Sequence, residues 1–264
     1  MPSTTNLGEA PRKALPIFYL LDTSGSMAGT PIGTLNSAMG ETMEALKDLA
    51  KKNSDAILKI GVLQFNTNVK WMNAKGLEDA EDFFYEDLSA GGMTYMGAAL
   101  KELDSKLSRH AFLDNAAGNL MPVIIVMSDG YANDDYKKEL DKIRNNKWFK
   151  RATKIAFAIG DDADLKMLAE VVGDVEAVIR TSDMVVFADM IRFVSVTASM
   201  LVSTSSTTAT AVSGGDIVGM AIKESQESGS SDVETAGGTG ITIAGDPNGF
   251  DDPDDPDPWG GTWE

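Results

Sequence analysis

Five short runs dense in Val, Ile, Leu and Phe, at residues 15–21, 57–65, 122–127, 154–159 and 176–179, alternate with stretches in which apolar residues recur every three or four positions. Those helical stretches are traced by Ile32, Leu35, Met39, Met43, Leu46 and Leu49, by Met96, Leu100, Leu103 and Leu107, and by Leu165, Leu168, Ala169 and Val172. Near-continuous apolar strands need cover on both faces. The alternation therefore predicts a doubly wound α/β fold, a mostly parallel sheet with helices on either side. Residues 69–72 follow the second run after only Asn66, Thr67 and Asn68. That link is too short for a crossover, so the two strands pair as a hairpin and give the sheet one antiparallel edge strand.

A sheet of this kind binds ligands outside the carboxyl ends of its strands, and composition narrows the chemistry available there. The chain has no cysteine and one histidine, His110. Disulfides, thiolate metal sites and cysteine nucleophiles are excluded, and zinc hydrolase or Ser-His-Asp chemistry has little to build on. His110 follows the Leu100, Leu103, Leu107 face and reads as a packing or surface residue. A formal charge of −17 opposes non-specific binding to nucleic acid or anionic lipid.

Charge also divides the chain. Residues 216–264 hold twelve acids against Lys223 alone, and apolar periodicity fades after Val202. The predicted organisation is an N-terminal extension over 1–14, a packed domain over 15–202, and a Ser/Thr/Gly-rich linker and acidic, disordered tail over 203–264, with a short strand at Ile241, Thr242 and Ile243. The extension has no apolar run ahead of Arg12 and Lys13, so no secretory signal is readable. In the apolar stretch 184–202, Asp189, Arg192, Ser195 and Ser199 recur at helical spacing and form a polar stripe. That pattern predicts an amphipathic helix packed on a core and no membrane span. A cytoplasmic protein without membrane or nucleic-acid partners is the expectation.

Three loops at predicted strand ends or helix starts carry oxygen side chains. Asp22-Thr23-Ser24-Gly25-Ser26 leaves the first strand, Ala90-Gly91-Gly92-Met93-Thr94 precedes the Met96 helix, and Ser128-Asp129-Gly130 follows the strongest strand. Taken alone, the first loop reads equally well as a helix cap and turn. Taken together, the three gather two carboxylates and several hydroxyls on one sheet edge. An all-oxygen set suits a hard divalent cation, Mg2+ first and Mn2+ or Ca2+ next.

Asp22-x-Ser24-x-Ser26, then Thr94 in a Gly-Gly-x-Thr loop, then Asp129 in Ser-Asp-Gly resembles the metal-ion-dependent adhesion site (MIDAS) of von Willebrand factor A (vWA) domains, over residues 15 to about 200. Met93 stands where that family often has Gly, and Ser128 where Thr is common; neither change removes a ligand. The resemblance implies the Rossmann-like vWA fold, with Mg2+ held by Ser24, Ser26 and Thr94 and with Asp22 and Asp129 near it, directly or through water. An open coordination position would then take an Asp or Glu from a protein partner. Residues 159–164 and 193–196 are similar to stand-alone bacterial TerY-type members, which are associated with tellurite-resistance and stress clusters containing a protein kinase and a phosphatase. An adaptor subunit of an AAA+ ATPase machine is the alternative.

The resemblance implies a binding module and not an enzyme. Phosphotransferases of the haloacid-dehalogenase type place an acid two residues after the nucleophilic Asp, where this chain has Ser24. A P-loop is absent, since Gly237-Gly238-Thr239-Gly240 lacks a lysine. In the tail, Trp259 and Trp263 follow a run of Asp and Pro residues. They suit a segment that docks on a basic partner; gating of the metal site by tail carboxylates, or simple solvation, are the other readings.

Overall fold

A computed structural model of the chain describes residues 12–73, 75–160, 163–181, 183–204, 212–227 and 233–239. The strands are β1 (Lys13–Asp22), β2 (Ala56–Phe65), β3 (Val69–Trp71), β4 (Glu78–Asp79), β5 (Val123–Ser128), β6 (Thr153–Ile159), β7 (Val178–Thr181) and β8 (Val233–Thr235). The helices are α1 (Thr30–Lys52), α2 (Met96–Lys106), α3 (Tyr136–Ile143), α4 (Lys147–Arg151), α5 (Leu165–Val172), α6 (Met184–Thr204) and α7 (Gly214–Glu227). One sheet runs β3-β2-β1-β5-β6-β7-β8, with β4 also paired to β2.

The pairs joining β2, β1, β5, β6 and β7 are parallel. The predicted hairpin is present, Phe65 opposite Val69 and Leu63 opposite Trp71. The far edge carries a further antiparallel strand, β8, with Val233 opposite Thr181. Alternation along β1 feeds two cores: Leu15, Ile17, Tyr19 and Leu21 point to the side of α1, α6 and α7, while Phe18 and Leu20 point to the side of α2, α3 and α5. Every residue of β1 from Ala14 to Asp22 is buried, which is why its sequence shows no polar alternation. His110 is exposed.

Two expectations need correction. Packing does not end near Val202: α7 buries Ile217, Val218 and Ala221 in the first core, and β8 buries Val233 there. The Thr153 hydroxyl donates to the Val212 carbonyl (2.9 Å), and a Cβ on Gly214 would collide with the Lys154 carbonyl, so the start of α7 lies directly on β6. Burial of a few apolar residues outweighs an acidic, Gly-rich composition. Ile241, Thr242 and Ile243, like Trp259 and Trp263, lie outside the described residues.

Nor is the polar stripe of α6 continuous at the surface. Ser195 and Ser199 are fully buried, and the Ser199 hydroxyl donates to the Ser195 carbonyl (2.7 Å), bonding within its own helix as short hydroxyl side chains do. Asp189 and Arg192 stay outside as an ion pair (3.2 Å). The segment Val185–Thr204 is long and apolar enough to cross a membrane by length and composition. In this fold Val186, Phe187, Met190, Ile191, Val194 and Ala198 join the first core, Phe187 meeting Phe157 edge-on at 5.7 Å, while Val185 and Met200 are exposed.

Candidate functional site

β1 and β5 are adjacent and parallel, so the loops leaving their carboxyl ends emerge side by side. Asp22, the last residue of β1, is fully buried and uses both carboxylate oxygens: Oδ1 accepts the Ser24 N–H (2.8 Å) and Oδ2 the Ser128 hydroxyl (2.6 Å). The Ser26 hydroxyl donates to Asp129 Oδ1 (2.8 Å). The Ser24 and Ser26 hydroxyls lie 3.0 Å apart, within hydrogen-bond distance of each other. One hydrogen-bonded chain thus runs from Asp22 through the Ser24 backbone and side chain to Ser26 and Asp129.

Thr94 arrives on the second loop. A Cβ placed on Gly130 would sit 3.6 Å from both Ser26 Oγ and Thr94 Oγ1, so all three loops meet at one point. Backbone bonds fix the approach: the Gly25 N–H donates to the Gly92 carbonyl (2.9 Å) and the Gly91 N–H to the Thr23 carbonyl (2.8 Å). Gly92 has φ +85°, and a Cβ there would lie 2.7 Å from the Thr67 hydroxyl, which accepts the Met93 N–H. Only glycine fits that turn.

All five predicted site residues are therefore brought together: Asp22 and Thr94 buried, Ser24 beneath the surface, Ser26 exposed and Asp129 half-buried. Burial raises the Asp22 carboxyl above its ordinary range, against the pull of its bonds to Ser128 and Ser24. Asp129 is raised as well, by burial first, with the Ser26 hydroxyl opposing and the Asp22 charge adding to the rise. Two carboxylates whose ionised forms are disfavoured by burial would be favoured by a cation placed beside them. Among the described residues no group of three or more His, Asp or Glu gathers as a metal site. The donors here are two carboxylates and three hydroxyls, a set that fits a small hard cation.

Several supporting residues carry no sequence signal. Ser128, noted only as a departure, is the hydroxyl that holds Asp22. Asn133 and Asp134 clasp the second loop to the third: Asn133 Oδ1 accepts the Thr94 N–H (2.8 Å) and its own N–H donates to the Thr94 carbonyl (2.8 Å). Asp134 accepts the N–H groups of Gly97 (3.0 Å) and Ala98 (2.9 Å), capping α2 from another loop because Tyr95, at the cap position, makes no side-chain bond. Asp134→Ala is expected to lower stability by about 1–3 kcal/mol through those two stranded donors. Urea unfolding measures this, with Asp135→Ala as the neutral comparison; equal midpoints would show the cap to be dispensable.

Residues 17–192 match the sequence profile of the von Willebrand factor type A domain. No curated protein matches the chain. Among solved structures, the von Willebrand factor type A protein from Catenulispora acidiphila superimposes with a TM-score of 0.51 at 17% identity, over 70% of this chain and 43% of that one. The ArnB paralog VWA2 from Sulfolobus acidocaldarius gives 0.49 at 16%, over 69% and 45%. Proximal thread matrix protein 1 from the mussel byssus, in a form described as having a zinc-occupied MIDAS motif, gives 0.46 at 20%, over 69% and 47%. This chain thus spans less than half the length of each.

Proposed function

The chain belongs to the von Willebrand factor type A family, and from that premise we propose that it is a metal-dependent protein-binding module that captures a partner's carboxylate at a divalent cation, Mg2+ before Mn2+ or Ca2+. The observation that carries this is the hydrogen-bonded chain from Asp22 through Ser24 and Ser26 to Asp129, with Thr94 closing beside it. The hydroxyls of Ser24, Ser26 and Thr94 are the groups that would hold the ion, with Asp129 at the rim. Asp22, both oxygens engaged, orients Ser24 from below and contributes charge. When bound, the cation supplies an electron-poor position for a carboxylate, because neutral hydroxyls cancel little of its charge. Loops around the site then set which carboxylate is accepted.

Binding proceeds without turnover in this reading: the place of a second catalytic acid is taken by Ser24, a hydroxyl 3.0 Å from that of Ser26. The setting we propose is a bacterial stress or phospho-signalling assembly with a protein kinase and a phosphatase, supported by the TerY-like stretches at 159–164 and 193–196. Affinity capture by the full chain, with bound proteins identified by mass spectrometry, tests it. Kinase or phosphatase capture is expected in Mg2+, lost in EDTA and reduced about tenfold or more by Thr94→Ala, a change equivalent to about 1.4 kcal/mol. AAA+ ATPases in place of kinases would select the other setting. Capture indifferent to EDTA, or hydrolase activity that disappears in Asp22→Ala, would overturn the function.

A further inference from the structure

We propose that the partner surface is basic: one carboxylate for the metal, flanked by Lys or Arg side chains and by an apolar residue. This rests on the metal-dependent reading above and adds the chemistry around the ligand. The segments that surround the site, 22–29, 66–68, 84–95 and 129–135, contain Asp22, Glu86, Asp87, Asp129, Asp134 and Asp135 and no Lys or Arg. Asp22 is buried and Asp134 is engaged with α2, but Glu86, Asp87 and Asp135 stand exposed. Glu86 and Asp87 are held against α1, the helix that follows the first site loop: Asn36 donates to the Leu88 carbonyl (2.9 Å) and accepts from the Leu88 N–H (2.9 Å) and the Tyr85 hydroxyl (3.0 Å). The bases closest in sequence to these segments lie just past them, Lys70 within β3 and Lys137 within α3, the latter 3.6 Å from Glu170.

A carboxylate approaching this rim is attracted by the metal and repelled by its surroundings. Basic neighbours on the ligand reverse the second term. Apolar anchoring comes from the same loops. Of the six large apolar side chains exposed among the described residues, three, Phe84, Met93 and Tyr131, lie on the segments that build the site. Met93 immediately precedes Thr94, and Tyr131 is two residues past Asp129; their exposures are 54% and 66%. The paired bonds between Thr94 and Asn133 run these two stretches side by side, so Met93 and Tyr131 flank the site from adjacent loops. Exposed aromatic and thioether side chains beside a polar centre are suited to gripping an apolar residue next to the ligand.

The same charge pattern disfavours the chain's own tail as ligand. Residues 240–264 hold seven acids and no base, so tethering raises their local concentration at a rim that repels them.

Random peptides displayed on phage, selected on the full chain in Mg2+ and eluted with EDTA, test the proposal. Eluted sequences are expected to carry one Asp or Glu among Lys or Arg residues, with Leu, Met or an aromatic close by. A synthetic peptide from that pool is expected to bind about tenfold more weakly when NaCl rises from about 0.1 M to about 0.5 M, since the rim contacts are screened. The pair Met93→Ser and Tyr131→Ser is expected to weaken it by about tenfold more, with Mg2+ affinity by calorimetry unchanged. Acidic or neutral pools, or indifference to the Met93 and Tyr131 changes, each with Mg2+ still bound, would overturn the basic-partner proposal alone. An empty EDTA eluate with Mg2+ bound would overturn metal-dependent capture, and the basic-partner proposal with it. Absence of Mg2+ binding in the calorimeter would overturn the metal reading itself.

Discussion

Mg2+ added to the chelated protein is expected to raise its melting temperature by about 5–10 °C, and Asp22→Ala is expected to abolish the rise. A ligand that binds only the folded state at about a hundred times its Kd adds about 2.7 kcal/mol, and a domain of this size gains about 2–4 °C per kcal/mol. Removing Asp22 strands the Ser24 N–H and the Ser128 hydroxyl together and frees the loop that presents both serines. Acidity gives the effect a second signature. Asp22 and Asp129 are both held above the ordinary carboxylate range when folded, chiefly by burial. Between the unfolded and folded values the metal-free native chain binds more protons than the unfolded one. Its stability therefore falls as pH rises through that interval and stays lower above it. Metal needs the ionised carboxylates, so its stabilisation grows over the same interval. Melting curves in Mg2+ and in EDTA should diverge as pH increases. A Mg2+ shift that is the same at every pH, or the same in Asp22→Ala, would remove these residues from the metal site.

A chain cut after Thr204 is expected to lose most of its folding stability, whereas one cut after Thr239 keeps it. The shorter cut strips α7 and β8, taking Ile217, Val218, Ala221 and Val233 out of the core and uncovering β7. At about 1.5–3 kcal/mol for each fully buried Val or Ile, the loss reaches about 5 kcal/mol or more. That is the order of a whole domain's stability, about 5–15 kcal/mol. Guanidinium unfolding followed by circular dichroism compares the two. Equal midpoints would place α7 and β8 outside the cooperative unit, and would restore Val202 as its boundary.

What was legible in the sequence follows from how each element is stabilised. β1, β2, β5 and β6 are buried on both faces, and such strands write themselves as apolar runs. That Asp22, Ser24, Ser26, Thr94 and Asp129 gather at one sheet edge was legible because their types and spacing are tied to three specific loops. α7 was missed although Ile217, Val218, Ala221 and Ile222 lie at helical spacing, because the surrounding acids and glycines dominate any composition window. β4 is two acidic residues, Glu78 and Asp79, ordered by pairing with β2 and by an ion pair from Lys59 (2.6 Å), a non-local cause that leaves no local pattern. Asn133 and Asp134 act on groups 36 to 39 residues away. Their sequence says only turn.

The hydrogen bonds that assemble the site span 106 residues from Asp22 to Ser128 and 103 from Ser26 to Asp129. During synthesis at about 5–20 residues per second, Asp22 and its apolar strand leave the ribosome several seconds before β5 exists to pair with them. Long-range parallel pairing of this kind is slow to form, and the loops of the candidate site can meet only when it is complete. Partially made or partially folded copies thus present no competent site. On the proposed reading, partner engagement would count finished molecules only, and the level of bound partner would report how much of the chain has reached its native state.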